Sequence, residues 1–175
     1  STNWDMSMKL PVLPAPRETV HGGHCQFSLG GKGANQAIAA IRAGGKVFFV
    51  SSIGRDAIGE QVFAALTDNH VPRDGIVVAP ETETGKAMIF VDDLGENTIG
   101  VADGANAYLK PEHLTTFHSP LQKANIVLLQ LEIPMETVIA AAKLASEHGK
   151  RVILNPAPAH PIDDELLSYS AILTP

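Results

Sequence analysis

The amino-acid sequence predicts an α/β protein, in which a mostly parallel sheet is flanked by helices. Two observations predict it. The 175 residues are 45% hydrophobic but only 5% aromatic, and an aliphatic, aromatic-poor chain suits a parallel sheet buried on both faces better than a β-sandwich. Short apolar runs also alternate with segments of helical period, the order that builds βαβ units.

Each element follows from local pattern. Val47–Val50 is an apolar run after the turn Gly44-Gly45 and reads as a buried strand. Asp56 is placed to cap a helix whose Ile58, Val62 and Leu66 recur at spacings of four on one face. Ile126–Leu131 reads as a second buried strand. Pro134 suits the first turn of the next helix, with Val138, Ala141, Ala142 and Ala145 on its inner face and Gly149 as its stop. Arg151–Leu154 completes a strand–helix–strand unit, and Ala171-Ile172-Leu173 is again strand-like. One stretch breaks the rhythm. Residues 85–101 have no helical period, and the runs Ala87–Val91 and Thr98–Val101 flank Asp93-Leu94-Gly95-Glu96, a hairpin pattern. Thr19–Leu29 is a second extended piece. The two segments pair into a small flap or form an extended edge of the main sheet; periodicity favours neither.

The chain has one sizeable core's worth of residues, so a single domain over 1–175 is expected. Both ends read as interrupted, because polar Ser1-Thr2-Asn3 replaces an opening apolar strand and no helix follows Leu173. A net charge of −6 without a dense Lys/Arg run disfavours nucleic acid. Cys25 is the single cysteine, which excludes an internal disulfide and a cysteine-built zinc site. No signal-peptide pattern or membrane-length apolar run is present, so a cytoplasmic protein without a membrane role is expected.

The most informative stretch is Gly30-Gly31-Lys32-Gly33-Ala34-Asn35-Gln36. Its glycines let backbone approach a ligand closely, and helical period begins at once with Ala34, Ala37, Ile38 and Ile41 on one face. The loop therefore ends at a helix N-terminus, where amides and dipole favour oxygen-rich groups. It lacks the spacing of a Walker A loop or of a dinucleotide fingerprint. Asn3 and Asp5, alternate residues on an extended strand, present an amide and a carboxylate on one side, a pairing that suits a sugar's vicinal hydroxyls. Gln130-Leu131-Glu132 and Asn155-Pro156-Ala157-Pro158 follow apolar strands, at the carboxyl ends where open α/β sheets bind ligands. His21 and His24 without a third ligand are weak evidence for a metal, and none is expected.

Taken in order, these motifs, with Gly95-Glu96-Asn97 and Gly104-Ala105-Asn106, resemble those of the ribokinase-like carbohydrate kinases, and the resemblance covers essentially the whole chain. It implies a truncated ribokinase-like α/β fold with a β-sheet lid formed by segments of about 8–29 and 85–101. It further implies phosphorylation of D-ribose at its 5-hydroxyl by ATP with Mg2+ and activation by a monovalent cation (K+), with the sites for all three outside these residues, and a homodimer formed through the lid. Asn3, Asp5, Gly31, Lys32, Asn35 and Glu132 would hydrogen-bond the sugar, and Ala87 and Ile89 would cover its apolar side. Family members carry a later Gly-Ala-Gly-Asp whose aspartate is the catalytic base. No such tetrapeptide occurs here, so these residues supply the sugar half and no catalytic residue, and by themselves are expected to be inactive. An inactive sugar-binding fragment, or a kinase for deoxyribose, a nucleoside or fructose, is the alternative.

Overall fold

The computed structural model describes residues 1–175. Its strands form three sheets. A four-stranded sheet has the order β2-β1-β5-β6, from β1 (Asn3–Lys9), β2 (Cys25–Gly30), β5 (Gly85–Val91) and β6 (Asn97–Ala102). The second pairs β3 (Ser51–Gly54) with β4 (Ile76–Ala79), and the third is β7-β8-β9, from Ile126–Leu129, Arg151–Leu154 and Ile172–Leu173. The last two are wholly parallel. In the first, β1 runs parallel to β5 and antiparallel to β2, and β5 runs antiparallel to β6.

Helices make the parallel crossovers. Between β3 and β4 lies α2 (Ala57–Asp68), and between β7 and β8 lies α5 (Met135–Glu147). The first long helix, α1 (Lys32–Arg42), leads from β2 toward β3. Short helices α3 (Pro111–Leu114), α4 (His118–Lys123) and α6 (Asp164–Tyr169), with a 3-10 turn at Gly104–Tyr108, fill the connections. Asp56 caps α2 through Gly59 N at 2.7 Å, as its position before the periodic run predicts. Val62 and Leu66 on that helix are fully buried with Ala34, Ala37, Phe49 and Ile53. A second core gathers Val138, Ala142 and Ala145 of α5 against Val152 and Leu154 of β8 and Leu166 of α6. Ala141, expected on that inner face, is half-buried at its margin.

The structure decides two expectations, the first of them as a correction. The strand placed at Val47–Val50 lies at Ser51–Gly54. The apolar run precedes the ladder, with Phe49 in the core and Phe48 against Phe117, ring centroids 5.7 Å apart. The ladder ends where backbone presses on it: a Cβ on Gly54 would lie 2.3 Å from the Thr82 carbonyl oxygen and 2.5 Å from Thr84 N. The second concerns the hairpin and the extended piece before α1. They belong to a sheet of their own, and they join through β1, whose polar start had read as an interrupted end. Residues 10–24 contribute no strand to it. The hairpin turn is held by Asp92, whose Oδ1 accepts from Leu94 N at 2.9 Å and Glu96 N at 3.0 Å, with Gly95 at φ 85°.

Candidate functional site

Three parts of the chain meet at the start of α1: the first residues, the glycine loop, and the segment after β7. Gly31, at φ 89°, turns the chain out of β2 into the helix. A Cβ there would lie 3.0 Å from Asn3 N and Thr2 Cα, and one on Gly33 would lie 2.6 Å from Ser1 N. The glycines therefore admit the protein's own first strand against the helix end.

The helix N-terminus does attract oxygen, as the dipole argument predicts, but the oxygens belong to the protein. Lys32 N donates to Glu132 Oε2 at 2.8 Å, Gly33 N to Ser1 Oγ at 3.0 Å, and Ala34 N to the Ser1 carbonyl at 3.0 Å. Ser1 Oγ in turn donates to the same Glu132 oxygen at 2.7 Å. The other, Glu132 Oε1, lies 3.4 Å from Lys32 Nζ. Glu132 thus locks the loop from a strand end a hundred residues away, and it leaves Lys32 partly exposed as a held cation.

Asp5 stands beside this pair. Its carboxylate lies directly over Gly30, where a Cβ would come within 2.0 Å of Asp5 Oδ2. Asp5 Oδ1 is enclosed yet has no hydrogen-bond partner. Burial pushes the carboxyl above its usual value of 3.8, the neighbouring Glu132 charge adds to the rise, and Lys32 opposes it. A buried acceptor without a donor is costly. Asn3, on the same strand face, is 4% exposed.

The sheet register fixes what surrounds Asp5. Ala87 pairs with Asp5 and Ile89 with Ser7, so both share the Asp5 face. Ala87 is buried and Ile89 half-buried. Asn35 sits one turn along from Lys32 but is exposed, and no side-chain hydrogen bond ties it to Glu132 or Asp5. It lines a shallow surface hollow of about 570 Å³ with Trp4, Phe27 and Ile38. Trp4 and Phe27 belong to the opposite face of the sheet from Asp5.

Sequence pattern did not single out Ser1, or a role for Gln36. Gln130 Nε2 donates to Gln36 Oε1, and Gln36 Nε2 donates to Asn155 Oδ1 at 3.2 Å, so one amide chain ties α1 to the ends of β7 and β8. The motif repeat of Gln and Asn hinted at these residues but not at their mutual contact. No group of three or more His, Cys, Asp or Glu side chains that could hold a metal ion comes together. No helix is long and apolar enough to cross a membrane.

The architecture and the site together define a ribokinase-like α/β protein with a polar cradle at the end of its first long helix. Residues 2–175 match the pfkB family carbohydrate kinases, and the chain belongs to that family. Among similar proteins, the ribokinase of Haemophilus influenzae is 40% identical over 175 residues, covering all of this chain and 57% of its own length. The ribokinase of Schizosaccharomyces pombe is 38% identical, again with 57% of its length matched. The structure of Arabidopsis thaliana ribokinase complexed with ribose and ATP superposes with a TM-score of 0.87 at 34% identity, over 99% of this chain and 57% of that one. The chain therefore spans little more than half the length of these relatives.

Proposed function

We propose that this chain supplies the sugar-binding half of a ribokinase-type kinase, which transfers the γ-phosphoryl group of ATP to the 5-hydroxyl of D-ribose. The observation that carries the reading is the enclosed Asp5 Oδ1 without a partner, set beside the Lys32–Glu132 pair. A polyol supplies what that cradle lacks: one hydroxyl donates to Asp5, and another accepts from Lys32. Gly31 supports the turn that brings Asn3 to the same place. Asn35, exposed and lining the hollow with Trp4 and Phe27 on the other face of the sheet, is left out of this cradle.

The four-stranded sheet acts as the lid in this reading. Its Asp5 face brings Ala87 and Ile89 over the apolar side of the ring, and closure excludes the water that would otherwise compete for ATP. Its other face carries Met6, Phe27 and Met88, which are 36%, 56% and 53% exposed. Such a surface suits a second copy of the same sheet, hence a homodimer through the lid. Lys32 cannot serve as the base, because a protonated ammonium held against Glu132 only donates. The 175 residues by themselves therefore bind without transferring phosphate.

The test is titration calorimetry with D-ribose, followed by an ATP-coupled assay, on the protein at its full natural length. Saturable ribose binding and formation of ribose 5-phosphate are expected. Binding of ribose without any turnover favours a sugar-binding protein, and no binding of any pentose removes the proposal. Turnover by the 175-residue chain alone overturns the division of labour.

A further inference from the structure

We infer that Asn106 is a positioning residue: it fixes which end of the Asn3 amide faces the cradle, and so makes Asn3 a hydrogen-bond donor there. The inference rests on the sugar-site reading only for the identity of the ligand. The polarity itself follows from the backbone.

A side-chain amide has an accepting end and a donating end, and its orientation is set by its partners. Asn106 lies in the 3-10 turn after β6 and is 1% exposed. One end of its amide meets Thr2 N at 2.8 Å. A backbone N–H can only donate, so that end is the oxygen. The other end is then the NH2 group, and it faces the Thr2 carbonyl at 3.2 Å and the Asn3 side chain at 2.7 Å. A donor directed at Asn3 requires an acceptor, so Asn3 turns its Oδ1 toward Asn106. Reversing either amide would set buried donors against donors. Asn3 Nδ2 is the end that remains, and no protein acceptor takes it.

Gly85 makes the arrangement possible. A Cβ there would lie 2.5 Å from both Asn106 Nδ2 and Asn3 Oδ1, which would part the two amides. Because Asn3 shares a strand face with Asp5, the cradle presents a fixed donor next to a fixed acceptor. The ligand that matches has two neighbouring oxygens, one donating to Asp5 and the other accepting from Asn3. The Gly104-Ala105-Asn106 motif, which makes no contact with the cradle's charged pair, thereby sets the polarity of the site.

Two measurements on the protein at its full natural length test this. In 15N-labelled protein without sugar, the Asn106 side-chain NH2 protons are expected to exchange slowly with solvent, and those of Asn3 rapidly. The reverse pattern overturns the inference whether or not any sugar binds. Asn106→Asp keeps an oxygen for Thr2 N but cannot donate to Asn3, so the Asn3 amide turns round. Ribose affinity is expected to fall about tenfold, with the effect in Kd or KM and little change in kcat. In an Asn3→Ala background the same substitution is expected to cost nothing further. Losses that multiply across the two sites point to a general structural role and sink the inference. Should wild type bind no pentose, the sugar reading fails while the exchange pattern still decides the polarity.

Discussion

Asp5→Asn separates what the site costs the fold from what it gives the ligand. Asp5 Oδ1 is enclosed without a partner, and such an acceptor costs about 1–3 kcal/mol. Because the side chain is only half-buried, water screens part of that cost, and the low end of about 1 kcal/mol applies. The asparagine removes the buried charge and its repulsion with Glu132 while keeping the shape. The variant is therefore expected to be more stable near pH 7, with Tm raised by about 2–4 °C in a domain of this size. The direction with pH follows from linkage. The folded-state pKa lies above 3.8, so the native protein holds this proton more tightly than the unfolded chain does. Asp5 favours the fold fully below 3.8, and that contribution is lost as pH rises through the raised folded value. The Tm advantage of the variant is thus absent in acid, grows across that window, and is level above it.

Ligand affinity should move the other way. Losing a hydrogen bond to a charged acceptor costs about 1.5–3 kcal/mol, which is roughly a 10- to 150-fold rise in Kd for ribose. Thermal unfolding by circular dichroism from pH 3 to 8 reads the first effect, and titration calorimetry reads the second. A Tm that falls at neutral pH, or a ribose Kd that does not change, refutes the reasoning.

Glu132→Ala strips acceptors from Lys32 N, Ser1 Oγ and Lys32 Nζ together, and ribose binding is expected to weaken by about 1–3 kcal/mol in calorimetry. Gly30→Ala places a Cβ 2.0 Å from the Asp5 carboxylate; that side chain can swing aside, so Tm should change little while ribose Kd rises at least as much as in Asp5→Asn. Asp56→Ala removes the α2 cap and the anchor for Thr84 N and Oγ1 at 3.0 and 2.6 Å, and should cost about 1–2 kcal/mol in urea unfolding at pH 7. Burial alone would raise the Asp56 carboxyl, but the Thr84 and Gly59 hydrogen bonds and the Lys86 charge hold it below 3.8. Its stabilisation is therefore present above that value, and the gap between wild type and variant should close as pH falls through the lower folded pKa.

How far the sequence reaches depends on the range of the forces involved. The α5 crossover, the Asp56 cap and the hairpin turn were legible because each is decided by residues within one turn or one loop. Val47–Val50 misled for the opposite reason. Apolar content does not fix a ladder: β3 pairs with Ile76–Ala79, about twenty-five residues onward, and only Phe49 of the apolar run is buried. The four-stranded sheet lay between these cases: its strands were visible, but the pairing through β1 joins segments whose polar starts gave no apolar signal.

The site divides along the same line. The block from Gly30 to Gln36 announced a close backbone approach, since that many glycines ahead of a helical face have few other uses. It did not announce what approaches. The expected visitor is a ligand, yet Ser1 and Glu132 occupy the helix amides, and the proposed sugar site is the neighbouring carboxylate that they crowd. The occupied helix end and the unsatisfied Asp5 are thus two sides of one arrangement. Glu132, by neutralising the helix end and holding Lys32, also raises the Asp5 carboxyl and keeps it in want of a donor. Substitution at Glu132 should therefore lower the cost of burying Asp5 even as it loosens the loop. In an Asp5→Asn background, Glu132→Gln should then destabilise more than it does in wild type, and equal losses in the two backgrounds would show that the charges do not communicate.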